Sequence, residues 1–170
     1  MPKTKEFEPV EEVLIIEKAK PRDLGQIVRL NKLLHFNLPN FGEEDQYDRR
    51  DWVSEEIREG NFFVLKRGGN IRGAMCINIS GKVLTIETLA VDKMRQGKGN
   101  GRKLVEFAID AAIEKGLKSV KVGSFTFLEV RDFYLKCGFE PDILPFWFEK
   151  GKKYYRFIKK TSSKNLKSRS

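Results

Sequence analysis

The residues with the clearest chemical potential run from Leu89 to Leu104, as Leu-Ala-Val-Asp-Lys-Met-Arg-Gln-Gly-Lys-Gly-Asn-Gly-Arg-Lys-Leu. An apolar run enters three alternating glycines, Gly97, Gly99 and Gly101, and a helical pattern begins where they end. Glycines permit left-handed backbone, so successive N–H groups can converge on one point. The helix start adds its own unpaired donors and partial positive charge. Such a loop is a cradle for an anion, with Lys98, Arg102 and Lys103 as reinforcement. A phosphate or pyrophosphate is the expected guest. A merely flexible connection is the bland alternative, but three glycines in five residues are costly at a helix start without close backbone approach. Neither the Walker pattern nor the dinucleotide GxGxxG pattern fits the spacing.

Other chemistry is limited by scarcity. His35 is the single histidine, and the two cysteines, Cys76 and Cys137, lie in apolar runs without a CxxC. A His-based metal site, a Ser-His-Asp triad and a disulfide framework are therefore excluded, and no metal is expected. Cys137 reads as core rather than nucleophile, and His35 as a packed or half-exposed residue rather than a catalyst.

The elements that must position the loop alternate along the chain. Val13 to Ile16 reads as a strand, Pro21-Arg22-Asp23 opens a helix carrying Leu24, Ile27, Val28 and Leu34, and residues 44 to 59 form a charged helix. Phe62 to Leu65, Ile71 to Ile79 and Val83 to Val91 read as strands joined at Gly68-Gly69 and Ser80-Gly81. A well-buried helix spans about Gly101 to Lys115, then come a strand from Lys118 to Ser124, a short helix from Glu129 to Lys136 closed by Gly138, and a final hairpin around Lys150-Gly151-Lys152. This is a mixed α/β (α+β) domain over 13–158. Residues 1–12 read as an N-terminal extension, and 159–170, with five basic residues and no acids, as a disordered basic tail.

Gln96-Gly97-Lys98-Gly99-Asn100-Gly101 resembles the acyl-CoA loop of the GNAT superfamily of N-acetyltransferases, (Gln/Arg)-x-x-Gly-x-(Gly/Ala). Thr88 to Asp92 is similar to its central strand, and Phe133-Tyr134-Leu135-Lys136-Cys137-Gly138-Phe139 to its (Phe/Leu)-Tyr-x-x-x-Gly-Phe segment. The resemblance implies a mixed, mostly antiparallel central sheet of about seven strands flanked by about four helices. It also implies acetyl transfer from acetyl-CoA, as co-substrate, to a primary amine. The backbone of Leu89, Ala90 and Val91 would hold the pantetheine arm. Gln96, Gly97, Lys98, Gly99, Asn100 and Gly101, with the helix start at Arg102, would hold the pyrophosphate. Tyr134 matches the tyrosine placed near the CoA sulfur as general acid, with a core aromatic as the alternative. The sequence departs from the family at Phe127, where an Asn is common, and at Val122, where the ribosomal-protein acetyltransferases carry a Glu.

Glu87, within the apolar run Val83 to Leu89, is expected to be buried with a raised pKa, which suits a base acting directly or through water. A strand-edge Glu paired with Lys or Arg is equally open. Residues 43–59 carry eight acids against three arginines, a local charge of −5, and in the fold implied they border the acceptor pocket. An acidic wall there would attract a cationic amine, a small molecule or a peptide Lys or N-terminus; an ordinary solvated helix face is the alternative. Phe36, Phe41, Trp147, Phe148 and Tyr155 are candidate aromatic walls.

The remaining limits come from composition. Thirteen Phe in 170 residues exclude wholesale disorder, and no window reaches the roughly 20 apolar residues of a membrane span. The N-terminus lacks the apolar core of a signal peptide, so a cytoplasmic protein is expected. The 33 Lys and Arg against 24 Asp and Glu give a net charge of +9, which invites an anionic partner. CoA phosphates account for the charges at the glycine loop. A nucleic-acid or ribosome-associated role through the tail, or CoA binding without turnover, stays open as an alternative. The resemblance is also compatible with a homodimer.

Overall fold

The computed structural model describes residues 13–34, 47–125, 130–142, 147–149 and 152–161. Runs rich in β-branched and aromatic residues form eight strands of one sheet. They are β1 (Leu14–Lys18), β2 (Phe62–Arg67), β3 (Asn70–Ser80), β4 (Val83–Val91), β5 (Ser119–Phe125), β6 (Glu140–Pro141), β7 (Trp147–Glu149) and β8 (Lys152–Lys160). Their order is β1-β2-β3-β4-β5-β8-β6, with β7 also on β8. The pairings are antiparallel except β4 with β5. The two-residue β6 is the strand added to the seven expected.

Left-handed Gly68, Gly69 and Gly81 make the two hairpin turns. The helices are α1 (Leu24–Asn31), α2 (Arg50–Arg58), α3 (Asn100–Glu114) and α4 (Arg131–Lys136). A 3-10 turn at Pro21–Asp23 leads into α1, and the Lys20 N–H donates to Asp23 Oδ2 at 2.8 Å. The charged helix begins at Arg50, later than the 44 expected, and residues 44–46 lie outside the described residues.

Two apolar layers sandwich the sheet. On one face Leu104, Val105, Ala108 and Ile109 of α3 pack with Met75, Ile77, Leu84, Ile86 and Val120. On the other, Ile27 of α1 and Val53 and Ile57 of α2 cover Phe62, Val64, Ala74 and Cys76. Burying a side chain of this size contributes about 1.5–3 kcal/mol. Gly73 lets α3 approach closely: a Cβ there would lie 3.0 Å from Leu104 Cδ1 and 3.2 Å from the Ala90 carbonyl oxygen.

Two irregularities shape the middle of the sheet. The parallel pairing of β4 with β5 covers only Val83–Ile86 against Ser119–Val122. Beyond it β4 follows β3 to Val91, while β5 follows β8 to Phe125. The sheet therefore splits, and the facing edges of 87–91 and 123–125 have no strand partner among the described residues. The second irregularity is a bulge. Thr88 pairs with Cys76 and Ile86 with Ile77, so Glu87 is an extra residue. The bulge reverses the side-chain parity of β4. Leu84 and Ile86 face α3 before it, and Leu89 packs into that same layer after it.

The last strand runs past the expected boundary at Ile158 to Lys160, and the Thr161 N–H donates to the Lys118 carbonyl at 3.0 Å. Residues 1–12 and 162–170 lie outside the described residues.

Candidate functional site

The split between β4 and β5 opens toward the C-terminal end of β4, where the glycine loop turns the chain into α3. A cleft of about 590 Å³ fills this place. Leu89 and Val91 form its β4 wall. Gln96, Gly97, Gly99, Gly101 and Arg102 form its end. Val130, Phe133, Tyr134, Lys136 and Cys137, on α4 and its flanks, form the third side.

The loop has the geometry its glycines suggested. Gly97 and Gly99 sit at φ 74° and 80°, and Gly99 caps α3 from the left-handed region without a side-chain hydrogen bond. The first intrahelical bond runs from the Lys103 N–H to the Gly99 carbonyl at 3.1 Å. The amides ahead of it, at Asn100, Gly101 and Arg102, precede any intrahelical acceptor. No acidic residue lies in the first turn to occupy them. Neutral loop amides, a helix dipole and the Arg102 guanidinium together suit the phosphates of an acyl-CoA.

Two of the expected ligands also brace the loop. The Gln96 side-chain amide donates to the Val91 carbonyl at 3.2 Å, and Asn100 Nδ2 to the Arg95 carbonyl at 3.2 Å. Asn100 is buried and braces the loop from behind rather than lining the cleft. Lys98 also lies off the lining. Ala90 is 3% exposed and opposite Ala74, so its side chain stays out of reach of a ligand in the split. Arg102 lines the cleft while its Nε donates to Glu106 Oε1 at 3.1 Å, an exposed pair that a bound anion would compete with.

Tyr134 is 6% exposed, and its ring packs against Phe133, Phe139 and Phe157 at centroid distances of 5.0, 5.8 and 5.5 Å. It is thus a core aromatic and a cleft residue at once. Cys137 borders the cleft, and burial pushes its thiol pKa up, with Glu106 adding to this and Arg102 and Lys159 opposing it. A thiol held in its protonated form suits packing better than nucleophilic attack. Val122, at the second departure from the family pattern, is a core residue at 3% exposure.

Glu87 corrects an expectation. It is exposed, not buried, and lies outside the cleft lining, because it follows Ile86 of the α3 layer in the strand's alternation and so faces the α1–α2 side. Its carboxyl is nevertheless raised: crowding by the protein limits its hydration, and the like charge of Glu56 on α2 adds repulsion. The acids of α2 are not all available to a ligand. Asp51 pairs with Arg49, while Glu55 and Glu59 pair with Arg58. Glu56 instead turns toward the sheet, where Asn61 Nδ2 donates to its Oε2 at 2.7 Å.

The cleft residues that sequence reasoning missed are Val130, Phe133, Lys136 and Cys137 as wall. Their signal lay in the tyrosine segment itself, since a short helix beside the split presents more than one residue to it. His35, Phe36, Phe41 and Phe127 lie outside the described residues, as do the side chains of Trp147, Phe148 and Tyr155.

The chain belongs to the GNAT acetyltransferase family: the model of the Acetyltransferase (GNAT) family matches residues 27–139. Solved structures share the fold. The Ard1 protein of Thermoplasma volcanium superposes with a TM-score of 0.73 at 19% identity, covering 88% of this chain and 99% of that one. The PaiA N-acetyltransferase of Thermoplasma acidophilum, in complex with coenzyme A, gives 0.71 at 17% identity, covering 87% and 99%. Mutant forms of the spermidine/spermine N-acetyltransferase SpeG of Vibrio cholerae give 0.70 at 20% identity, covering 91% and 98%. No curated protein matches the chain in sequence. Among the described residues no helix is long and apolar enough to cross a membrane.

Proposed function

We propose that the protein transfers an acetyl group from acetyl-CoA to a primary amine, directly, while both substrates are bound. The observation that carries this is the junction of the β4–β5 split with an anion-cradling glycine loop, in a chain of the GNAT family. On the edge that faces the split, Leu89 and Val91 present backbone N–H and C=O groups to the pantetheine amides, while Ala90, whose own groups lie in register with Ala74 on β3, holds that edge in place. Backbone amides from Gly97 to Arg102, with the Arg102 side chain, hold the pyrophosphate. Gln96 and Asn100 keep that loop in shape.

The reaction needs a free amine. An amine of the lysine type has a pKa of about 10.4, so at pH 7 only about one molecule in 2,500 is unprotonated. Glu87 takes that proton, directly or through one water. Its raised pKa brings the carboxylate closer to the pH at which it must act. As the carbon–sulfur bond breaks, Tyr134 gives its phenolic proton to the departing thiolate. That thiolate is fairly stable, with an acid of pKa about 8.5, so the gain from Tyr134 is modest. A cationic acceptor suits the carboxylates of Glu56 and Glu87, whether it is a small amine or a peptide Lys or N-terminus.

The test is CoA thiol release with a panel of amines. Release with one cationic class, reduced in Tyr134→Phe, is the expected result. No release with any amine despite tight acetyl-CoA binding would leave a CoA-binding module.

A further inference from the structure

Glu56 is the acid of α2 that turns inward, and two side-chain contacts fix its carboxylate there. Its Oε2 accepts from Asn61 Nδ2 at 2.7 Å and from the Cys76 thiol at 3.7 Å. Asn61 is itself tied to the sheet, because its carbonyl accepts from the Ile77 N–H at 3.0 Å and its own N–H donates to the Glu56 carbonyl at 2.9 Å. Cys76 is buried opposite Thr88, and its N–H donates to the Thr88 hydroxyl at 3.2 Å. Thr88 is the residue next to the bulged Glu87. Directly opposed residues have Cβ atoms about 5 Å apart, so the carboxylate on Cys76 lies on the doorstep of the bulge.

We propose that Glu56, locked between Asn61 and Cys76, is a positioning residue that acts through Glu87 in the proton transfer from the acceptor amine. This rests on the reading of Glu87 as the base. A shared face couples the two groups. Glu87 follows Ile86 in alternation and so faces α1–α2, the layer that holds Cys76, and the bulge keeps its neighbour Thr88 on the same face opposite Cys76. Glu56 then keeps the Glu87 carboxyl raised by like-charge repulsion, added to its limited hydration. The same two carboxylates, after desolvation, push the Cys76 thiol up and hold it protonated as a donor to Glu56.

The other charged groups nearby are paired or further off: Lys66 on β2 is held by Glu17 and Asp23, and Arg72 on β3 lies level with Asp92 beyond the end of β4. Lys121 on β5 shares the face, with its Nζ 3.9 Å from Asp142 Oδ2. Arg156 on β8 also shares it and pairs with Gly123 in register, one strand further away. On α1 and the turn after it, Arg29 and Lys32 are exposed, while the inward residues Ile27 and Asn31 are uncharged.

The test compares wild type, Glu56→Gln, Glu56→Asp and Glu87→Gln by carbon-13 carboxyl NMR titration and by the pH profile of kcat/KM for an accepted amine. Glu56→Gln keeps the shape and one partner for Asn61, and the NMR titration reads Glu87 whether or not the variant turns over. The expected result is a Glu87 midpoint and an acid limb that both move to lower pH in Glu56→Gln. Both should return toward wild type in Glu56→Asp. A Glu87 midpoint unmoved in folded Glu56→Gln overturns the inference. An acid limb that persists unchanged in Glu87→Gln overturns the assignment of Glu87 as base, which is a separate outcome.

Discussion

Replacing Gly101 by Val separates the cost to the fold from the cost to the cofactor site. A Cβ at Gly101 would lie 3.3 Å from Phe133 Cζ, 3.5 Å from Phe133 Cε2 and 3.6 Å from Val91 Cγ2. The first contact is tight and the others ordinary, so the Phe133 ring must shift by a few tenths of an ångström, and valine adds two methyls to the same space. Overpacking of this kind costs about 1–3 kcal/mol, set against a few tenths gained because Val is a better helix former than Gly. The net is about 0.7–2.7 kcal/mol, and in a chain of 170 residues each kcal/mol moves Tm by roughly 2–4 °C, so Tm should fall by roughly 1–11 °C. That is small beside a total stability of about 5–15 kcal/mol, and the protein should remain folded at 25 °C. Binding suffers more. Gly101 and Phe133 both line the cleft, and blocking close approach to one helix-start amide removes a hydrogen bond to a charged group worth about 1.5–3 kcal/mol. CoA affinity should fall roughly 10- to 150-fold. Calorimetric titration of CoA into wild type and Gly101→Val at 25 °C, with a thermal melt of each, reads both quantities. A lowered Tm with unchanged affinity would refute the placement of the phosphates.

Tyr134→Phe keeps the ring packed against Phe139 and Phe157 and should lower kcat about 100-fold, the low end for a general acid, while CoA affinity stays within about threefold by calorimetry. Lys66→Met strands two acids. The Lys66 ammonium, with its side chain 7% exposed, lies 2.8 Å from Glu17 and 3.2 Å from Asp23, which is itself 5% exposed. The loss should be about 2–4 kcal/mol by urea unfolding, on the low side for a broken buried pair because Glu17 keeps a third of its surface in water. Burial lowers the Lys66 pKa, but bonds to Glu17 and Asp23 outweigh this and raise it, so its contribution persists through neutral pH and is lost only as pH rises through that raised value. Glu17 is lowered by its hydrogen bond to Lys66, so wild type should lose this advantage over Lys66→Met as pH falls below the ordinary Glu range. Truncation after Thr161 should leave Tm and CoA affinity unchanged. Truncation after Ile158 should lower Tm, since it removes the bonds of Lys159 to the Gly138 carbonyl and of Thr161 to Leu117 and Lys118.

The elements that carry the cleft were legible because their punctuation is local. Gly68-Gly69, Gly81 and the three loop glycines mark turns whose left-handed backbone few other residues adopt, and the apolar spacing from Leu104 to Ala112 is helical. The bulge at Glu87 was not legible. Residues from Val83 to Val91 alternate in burial without a break, although the parity reverses, so a sequence pattern cannot distinguish them from a regular strand. Glu87, with apolar residues on both sides in the run from Val83 to Leu89, carries no local mark of its exposure. The split depends on where β5 leaves β4, a matter of pairing partners rather than of either strand's composition. Lys136 lines the cleft and Lys98 does not, a difference that charge patterning does not encode because side-chain direction in a short loop or helix is set by packing. The buried Lys66 reads as the polar end of a strand, and its two partners lie 49 and 43 residues away along the chain.

Direct transfer is the central claim, and a single-turnover experiment with acetyl-labelled CoA tests it. Protein in excess of the labelled donor is mixed with and without an accepted amine, then quenched and resolved into protein, CoA and amine fractions. Under direct transfer, label should appear on the amine only when the amine is present, at the rate of thiol release, with none on the protein at any time. Label accumulating on the protein before the amine is added, at Cys137 above all, would contradict it.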